Sequence, residues 1–172
     1  MSQELRYLDA GEVDSISEKL SEVLVRINRS AAVVKGGRRL SFSALSVCGN
    51  RGGVVGLGYG KGRQVPSAIE KAARDARKHL IRVPVTEAGS IPHEVEASYC
   101  GSLIRLIPAS TGTGIIAGAS ARAACEMAGI KNILTKSYGS NNPVNLVKAT
   151  LLALASLRTR QEVAELRGVS VD

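Results

Sequence analysis

The 172-residue chain is 44% hydrophobic and carries a net charge of +8, enough apolar material for one core or two small ones. It contains no apolar run near the roughly 18 residues of a membrane span, and Met1 to Asp14 is polar and acidic, without the apolar centre of a secretion signal. One phenylalanine and no tryptophan argue against a base-stacking platform of several aromatics. Cys48, Cys100 and Cys125 are widely separated, lack metal-ligand spacing, and read as reduced, buried thiols of a cytoplasmic protein.

The charge is unevenly placed. Residues 1–22 hold two basic and six acidic groups, residues 26–82 thirteen basic and two acidic, and residues 83–172 eight basic and seven acidic. This is the footprint of a polyanion-binding module joined to a near-neutral one. Residues 1–19 lack periodicity and are expected to form an acidic, flexible arm. From Glu22 the period becomes two, with Val23, Val25 and Ile27 on one face and Leu24, Arg26 and Asn28 on the other. Lys35-Gly36-Gly37-Arg38-Arg39 then makes a glycine turn into a second run, Leu40 to Cys48, which predicts a hairpin. Gly49-Asn50-Arg51-Gly52-Gly53 turns the chain again. In the third strand Val55, Leu57 and Tyr59 alternate with Gly56, Gly58 and Gly60, leaving one face bare for a helix, a backbone or a nucleic-acid strand to approach. Lys61 and Arg63 form its basic exit. The spacing fits neither a P-loop nor Gly-x-Gly-x-x-Gly, because Val55, Gly62 and Arg63 stand at the deciding positions.

Pro66 opens a helix whose stripe Val65, Ile69, Ala72, Ala73, Ala76 and Leu80 is expected to cover the sheet. Lys71, Arg74 and Lys78 fall opposite and read as a solvated face. Residues 85–93 look like a linker. Glu94 to Tyr99 and Leu103 to Ile107 predict a hairpin. Pro108-Ala-Ser-Thr-Gly-Thr-Gly114 precedes a helix of small residues from Ile115 to Ala128, closed by Gly129. A strand over Lys131 to Tyr138 follows. Asn142-Pro143 caps a helix with the stripe Val144, Val147, Leu151 and Leu154, and a short helix spans Arg160 to Leu166. The fold class expected is α+β: a three-stranded antiparallel sheet plus helix over residues 20–84, then a two-layer α/β domain over residues 94–168 and a tail at 169–172.

Two blocks carry a family resemblance. One runs from Lys35-Gly36-Gly37-Arg38 through Gly58 and on to Tyr59-Gly60-Lys61 and Val65-Pro66. The other runs from Pro108 through Arg122, followed by Lys136-Ser-Tyr-Gly-Ser-Asn-Asn-Pro143. Over about residues 20 to 168 the chain resembles the bacterial small-subunit ribosomal protein S five family. The resemblance implies an N-terminal domain like a double-stranded-RNA-binding domain without its first helix. It implies binding to 16S ribosomal RNA at the body–head junction of the 30S subunit, contact with the fourth and eighth small-subunit proteins, and a part in translational accuracy.

The hairpin tip matches the loop that reaches toward the head, and the stretch from Gly118 to Arg122 matches the region facing the fourth protein. The candidate RNA contacts are Arg26, Arg29, Lys35, Gly36, Gly37, Arg38, Arg39, Asn50, Arg51, Lys61 and Arg63, where cations and bare backbone can meet phosphates. The candidate protein contacts are Gly112, Gly114, Gly118 and Arg122. No catalytic group, metal or cofactor is expected. A free double-stranded-RNA-binding regulator shares the N-terminal physics but leaves the near-neutral half without a partner. A small-molecule kinase would use Ser110-Thr111-Gly112-Thr113-Gly114 as a phosphate cradle, yet no motif couples a carboxylate to it, and His79 and His93 lack partners that spacing can identify.

Overall fold

The computed structural model describes residues 7, 8 and 20–169. Apart from Tyr7, Leu8 and Val169, the acidic arm and the tail lie outside the described residues. Strands β1 (Ser21–Val34) and β2 (Gly37–Gly49) pair in antiparallel register from Ser21↔Gly49 to Val34↔Gly37. Lys35 and Gly36 alone form the turn, and Gly37 sits at φ 143°, a conformation that a side chain would strain. β3 (Val54–Gly62) pairs with β2 only from Gly49 to Phe42, so the hairpin beyond Phe42 is a free two-stranded ribbon.

A register shift between Leu24 and Arg26 inserts Val25 as a bulge. The bulge changes which side chains share a face. Arg26 lies opposite Leu45, in the row of Tyr59, and Ile27 lies opposite Ala44. The simple alternation expected of this strand therefore holds only up to the bulge.

The bare face of β3 is occupied by helix α1 (Val65–Lys78). A Cβ on Gly56 would stand 2.5 Å from the Ala76 carbonyl oxygen, and one on Gly58 or Gly60 would overlap the backbone of Ala72. The helix meets this groove with Ala68, Ala72 and Ala76, all fully buried. The stripe is thus centred on alanines rather than on Val65, Ile69 and Ala73, which flank it half-buried. Small residues on both sides let the two backbones touch; a larger stripe would hold them apart. Leu80 does not belong to α1. The chain leaves helical geometry at His79 (φ −118°, ψ 48°), and Leu80–Arg82 forms strand β4, pairing with Val54–Gly56. The meander expected from sequence thus gains a short fourth strand, giving the order β1-β2-β3-β4.

In the second half β5 (Val95–Tyr99) and β6 (Ser102–Pro108) form the expected hairpin, with Cys100 at φ 45° and Gly101 at φ 78° in the turn. The expected helix from Ile115 starts later. Ile115–Ile116 is a strand, β7, parallel to β8 (Ile133–Gly139), and helix α2 begins at Ala119. Two adjacent β-branched side chains favour the strand, and Gly118 in extended geometry provides the break before the helix. The sheet order is β5-β6-β8-β7. Helix α3 (Pro143–Ala155) starts as read: Asn142 accepts from the Val144 N–H at 3.3 Å and Pro143 occupies the first turn. Its burial includes Leu146, Ala149, Thr150 and Ala153 besides Val147, Leu151 and Leu154, so it is enclosed on more than one side. Helix α4 (Arg160–Arg167) opens with a capping box of Thr159 and Glu162.

The halves share one core. Leu45, Val47, Val55 and Leu57, on the sheet face away from α1, pack in the same cluster as Ile104, Leu106, Ala121, Ala124, Cys125 and Val147. Loop 49–53 seals the join: the Arg51 N–H donates to the Met127 carbonyl (3.0 Å) and the Gly53 N–H to that of Ala128 (2.9 Å). These are last-turn carbonyls of α2 that no intrahelical donor reaches. Residues 85–93, read as a linker, are packed too. Ser90 and Ile91 are buried, Gly89 accepts from Lys131 and Asn132 N–H groups, and the Ser90 hydroxyl accepts from the Ala109 N–H. At the other end Leu8 donates its N–H to the Leu80 carbonyl (2.9 Å), and the Tyr7 ring meets the His79 ring edge-on at 5.1 Å.

Candidate nucleic-acid interface

The ribbon from Arg29 to Leu40 is exposed on both faces and both strands. Nothing apolar pays for its ordering except its own ladder, so its sequence is free to be chosen for what it touches. Lys35 and Gly36 form its tip, while Arg38 (opposite Val33) and Arg39 (opposite Ala32) point to opposite sides of it. Val33 is 80% exposed, an apolar side chain held out among three cations.

At the ribbon's base the sheet register assembles a second group. Arg26, Leu45 and Tyr59 form one cross-strand row and Asn28, Ser43 and Lys61 the next, on one face. The Arg26 guanidinium donates to the Asn28 amide oxygen at 3.1 Å, and the Lys61 ammonium stands 5.8 Å from the Tyr59 ring centre. Sequence reading placed Tyr59 only as one of the residues alternating with glycine; the register makes it a half-exposed aromatic between two cations. Arg29 shares the other face with Phe42, and Arg63 lies exposed where β3 gives way to α1.

Asn50 and Arg51 do not join these groups. They follow the far end of β2, whose 13 residues span about 40 Å at ~3.4 Å each. The Asn50 side chain is a brace, its oxygen accepting from the N–H groups of Gly52 (2.8 Å) and Val54 (3.0 Å). Arg51 adopts φ 54°, its backbone fastened to α2 and its side chain exposed. Of the eleven candidate RNA contacts, nine therefore lie on the ribbon or at its base, and two lie at the join between the halves.

The four candidate protein contacts do converge. Gly112 (φ 95°) and Gly114 (φ 76°) lie in the loop before β7, Gly118 caps α2, and the Arg122 guanidinium donates to the Ile115 carbonyl at 2.9 Å. What holds the loop is Asn132, a residue that sequence reading passed over. Its buried amide oxygen accepts from the N–H groups of Gly112 and Gly114, both at 3.1 Å, and its amide nitrogen donates to the Ala88 carbonyl. An asparagine following a short helix gives no sequence signal for this; only the tertiary approach of three loops does.

The same bonds bear on phosphate binding. Both glycine N–H groups are spent on Asn132, and strand β7, rather than a helix N-terminus, follows the loop. A cleft of about 750 Å³ lies between Leu8, Gly53, Val83, Leu157 and Glu162. The carboxylate of Glu162 accepts from the Thr159 N–H at 2.8 Å. Among the described residues there is no cluster of three His, Cys, Asp or Glu side chains fit to hold a metal, and no helix long and apolar enough to cross a membrane. Cys48 and Cys125 are buried as expected, and burial pushes both thiols up to about 12. Cys100 departs from the expectation: it is exposed in the β5–β6 turn.

Comparison with known proteins agrees across the whole described fold. Residues 20–84 match the family model described as ribosomal protein S5, N-terminal domain, and residues 97–167 match that of the C-terminal domain. A protein of Rhodopirellula baltica named small ribosomal subunit protein uS5 is 54% identical over 161 residues, covering 94% of this chain and 90% of the relative. Proteins of the same name from Tolumonas auensis (48% over 161 residues) and Shewanella baltica (47% over 165) are covered to 96% of their length. With both halves matched and a sheet-and-helix unit in each, the chain belongs to the ribosomal protein S5 family.

Proposed function

We propose that the protein is a structural constituent of the small ribosomal subunit of the cytoplasm, that it binds 16S ribosomal RNA at the body–head junction, and that it catalyses no reaction. The observation that carries this reading is the free ribbon: a two-stranded arm without a core of its own, tipped by Lys35, Arg38 and Arg39, on a domain holding thirteen basic and two acidic groups between residues 26 and 82. A phosphate-lined RNA surface supplies what such an arm lacks. The near-neutral half presents the Gly112–Arg122 corner, held by Asn132, as the contact for the fourth small-subunit protein; the eighth docks elsewhere on the same half. Fixing this corner is consistent with a part in translational accuracy, since a rigid joint passes strain between neighbours. Against a kinase stand the N–H groups of Gly112 and Gly114, both committed to the Asn132 side chain.

The test is the salt dependence of binding to a 16S transcript. Replacing Lys35, Arg38 and Arg39 with glutamine should flatten log K against log[salt] by about two to three units, at ~0.7–0.9 per phosphate contact. A slope equal to that of the wild type would remove the ribbon tip from the RNA. Failure of the intact protein to sediment with small subunits at moderate salt would remove the ribosome.

A further inference from the structure

The outward face of α1 carries Lys71, Arg74 and Lys78, all exposed. At 100° per residue the three lie in a 60° sector turned away from the sheet-facing Ala68, Ala72 and Ala76. Their spacing along the axis is about 4.5 and 6 Å at ~1.5 Å per residue, comparable with the step between phosphates of one strand. Neither carboxylate of the helix neutralises them. Asp75 accepts from the Tyr59 N–H at 3.0 Å and stands 3.5 Å from the His79 ring nitrogen, and Glu70, one turn before Arg74, makes no ion pair with it among the described residues. Arg77, on the flank toward β1, is different: it is paired with Glu22 at 2.9 Å. The helix thus separates a paired arginine from a row of three cations that form no ion pair among the described residues.

The row and the Arg26–Lys61 face lie on opposite sides of the sheet, because α1 covers the glycine side and Tyr59 and Lys61 project from the other. A helix and a sheet layer, each about 10 Å thick, stand between the two sets. That exceeds the ~8 Å screening length at physiological salt, so a phosphate held at one set is not felt at the other.

We propose that Lys71, Arg74 and Lys78 form a second phosphate-binding row, which holds an RNA segment other than the one gripped by the ribbon and the Arg26–Lys61 face. The protein then clamps two RNA segments across the thickness of its N-terminal domain. This inference rests on the RNA-binding reading above, and commits to RNA rather than to the acidic residues of the segment 1–19.

The experiment compares the full-length protein with two variants, Lys71→Gln/Arg74→Gln/Lys78→Gln and Lys35→Gln/Arg38→Gln/Arg39→Gln, on a 16S transcript. Salt dependence and hydroxyl-radical footprinting are both read. The helix variant should lose about two to three units of slope and one set of protected nucleotides, which the ribbon variant retains. The charge-conserving Lys71→Arg/Arg74→Lys/Lys78→Arg should restore both. Wild-type slope and footprint in the helix variant would overturn the second row while leaving the ribbon reading intact. Loss of the same nucleotides by both variants would also overturn it. So would helix substitutions that alter slope and footprint in the full chain but leave both unchanged in a chain lacking residues 1–19, since that outcome assigns the row to the arm. No binding by the wild-type protein at low salt would overturn both readings together.

Discussion

Gly58 and Gly36 show how differently one residue type is constrained along this chain. A methyl on Gly58 would overlap the Ala72 carbonyl and crowd the Ala76 Cβ at 2.8 Å, whereas nothing lies within 4 Å of a methyl on Gly36. Gly58→Ala should cost about 3 kcal/mol, the upper range for overpacking, and Gly36→Ala well under ~1 kcal/mol; urea denaturation of the two variants checks this. The thiols divide in the same way. Burial, helped by Glu22 at Cys48 and Glu126 at Cys125, raises both from 9.0 to about 12 in the folded state. The folded state therefore keeps its protons where the unfolded chain loses them. Stability is fully present below pH 9 and falls as pH climbs toward 12, where each thiol's folded-state proton is lost. Denaturation free energies across that range should show the decline, and Cys125→Val should remove part of it. At pH 8 a thiol reagent should label Cys100 alone in the native protein and all three cysteines after unfolding.

Among the elements, the ribbon is the one whose removal should cost least. Its residues from Arg29 to Leu40 are exposed on both faces and belong to no core cluster. Replacing Ala31–Leu40 with a two-residue Asn-Gly turn keeps Ser30 opposite Ser41 and suits a tight hairpin. The shortened protein should melt within a few degrees of wild type yet lose about two to three units of salt slope on 16S RNA. A large drop in melting temperature would mean that the ribbon contributes to the fold. The strand pattern, the glycine turn and the Asn142-Pro143 cap were legible in the sequence because each depends on neighbours a few residues away. The bulge at Val25, the end of α1 before Leu80 and the strand at Ile115–Ile116 were not. Each is decided by a distant partner: Leu45 for the bulge, Gly56 for Leu80, Ile133 for Ile115.

At the scale of the molecule, the sheet of the first half is covered on one face by its own helix and on the other by the second half. Residues 20–84 alone would expose Leu45, Val47, Val55 and Leu57, so that fragment should bind a hydrophobic dye and melt without cooperativity. A sharp melting transition in the fragment would show that the shared core is dispensable. The sequence by itself determined the family, the asymmetry of charge, the strand and helix types and the basic tip, since composition, period and turn chemistry are local quantities. Only the tertiary structure decided that α1 fills the glycine face, that Asn50 and Arg51 belong to the join, that Asn132 ties down the Gly112–Gly114 loop, and that cations stand on two sides of one sheet. Those outcomes depend on which distant backbones come within hydrogen-bonding reach, and no window of consecutive residues contains that information.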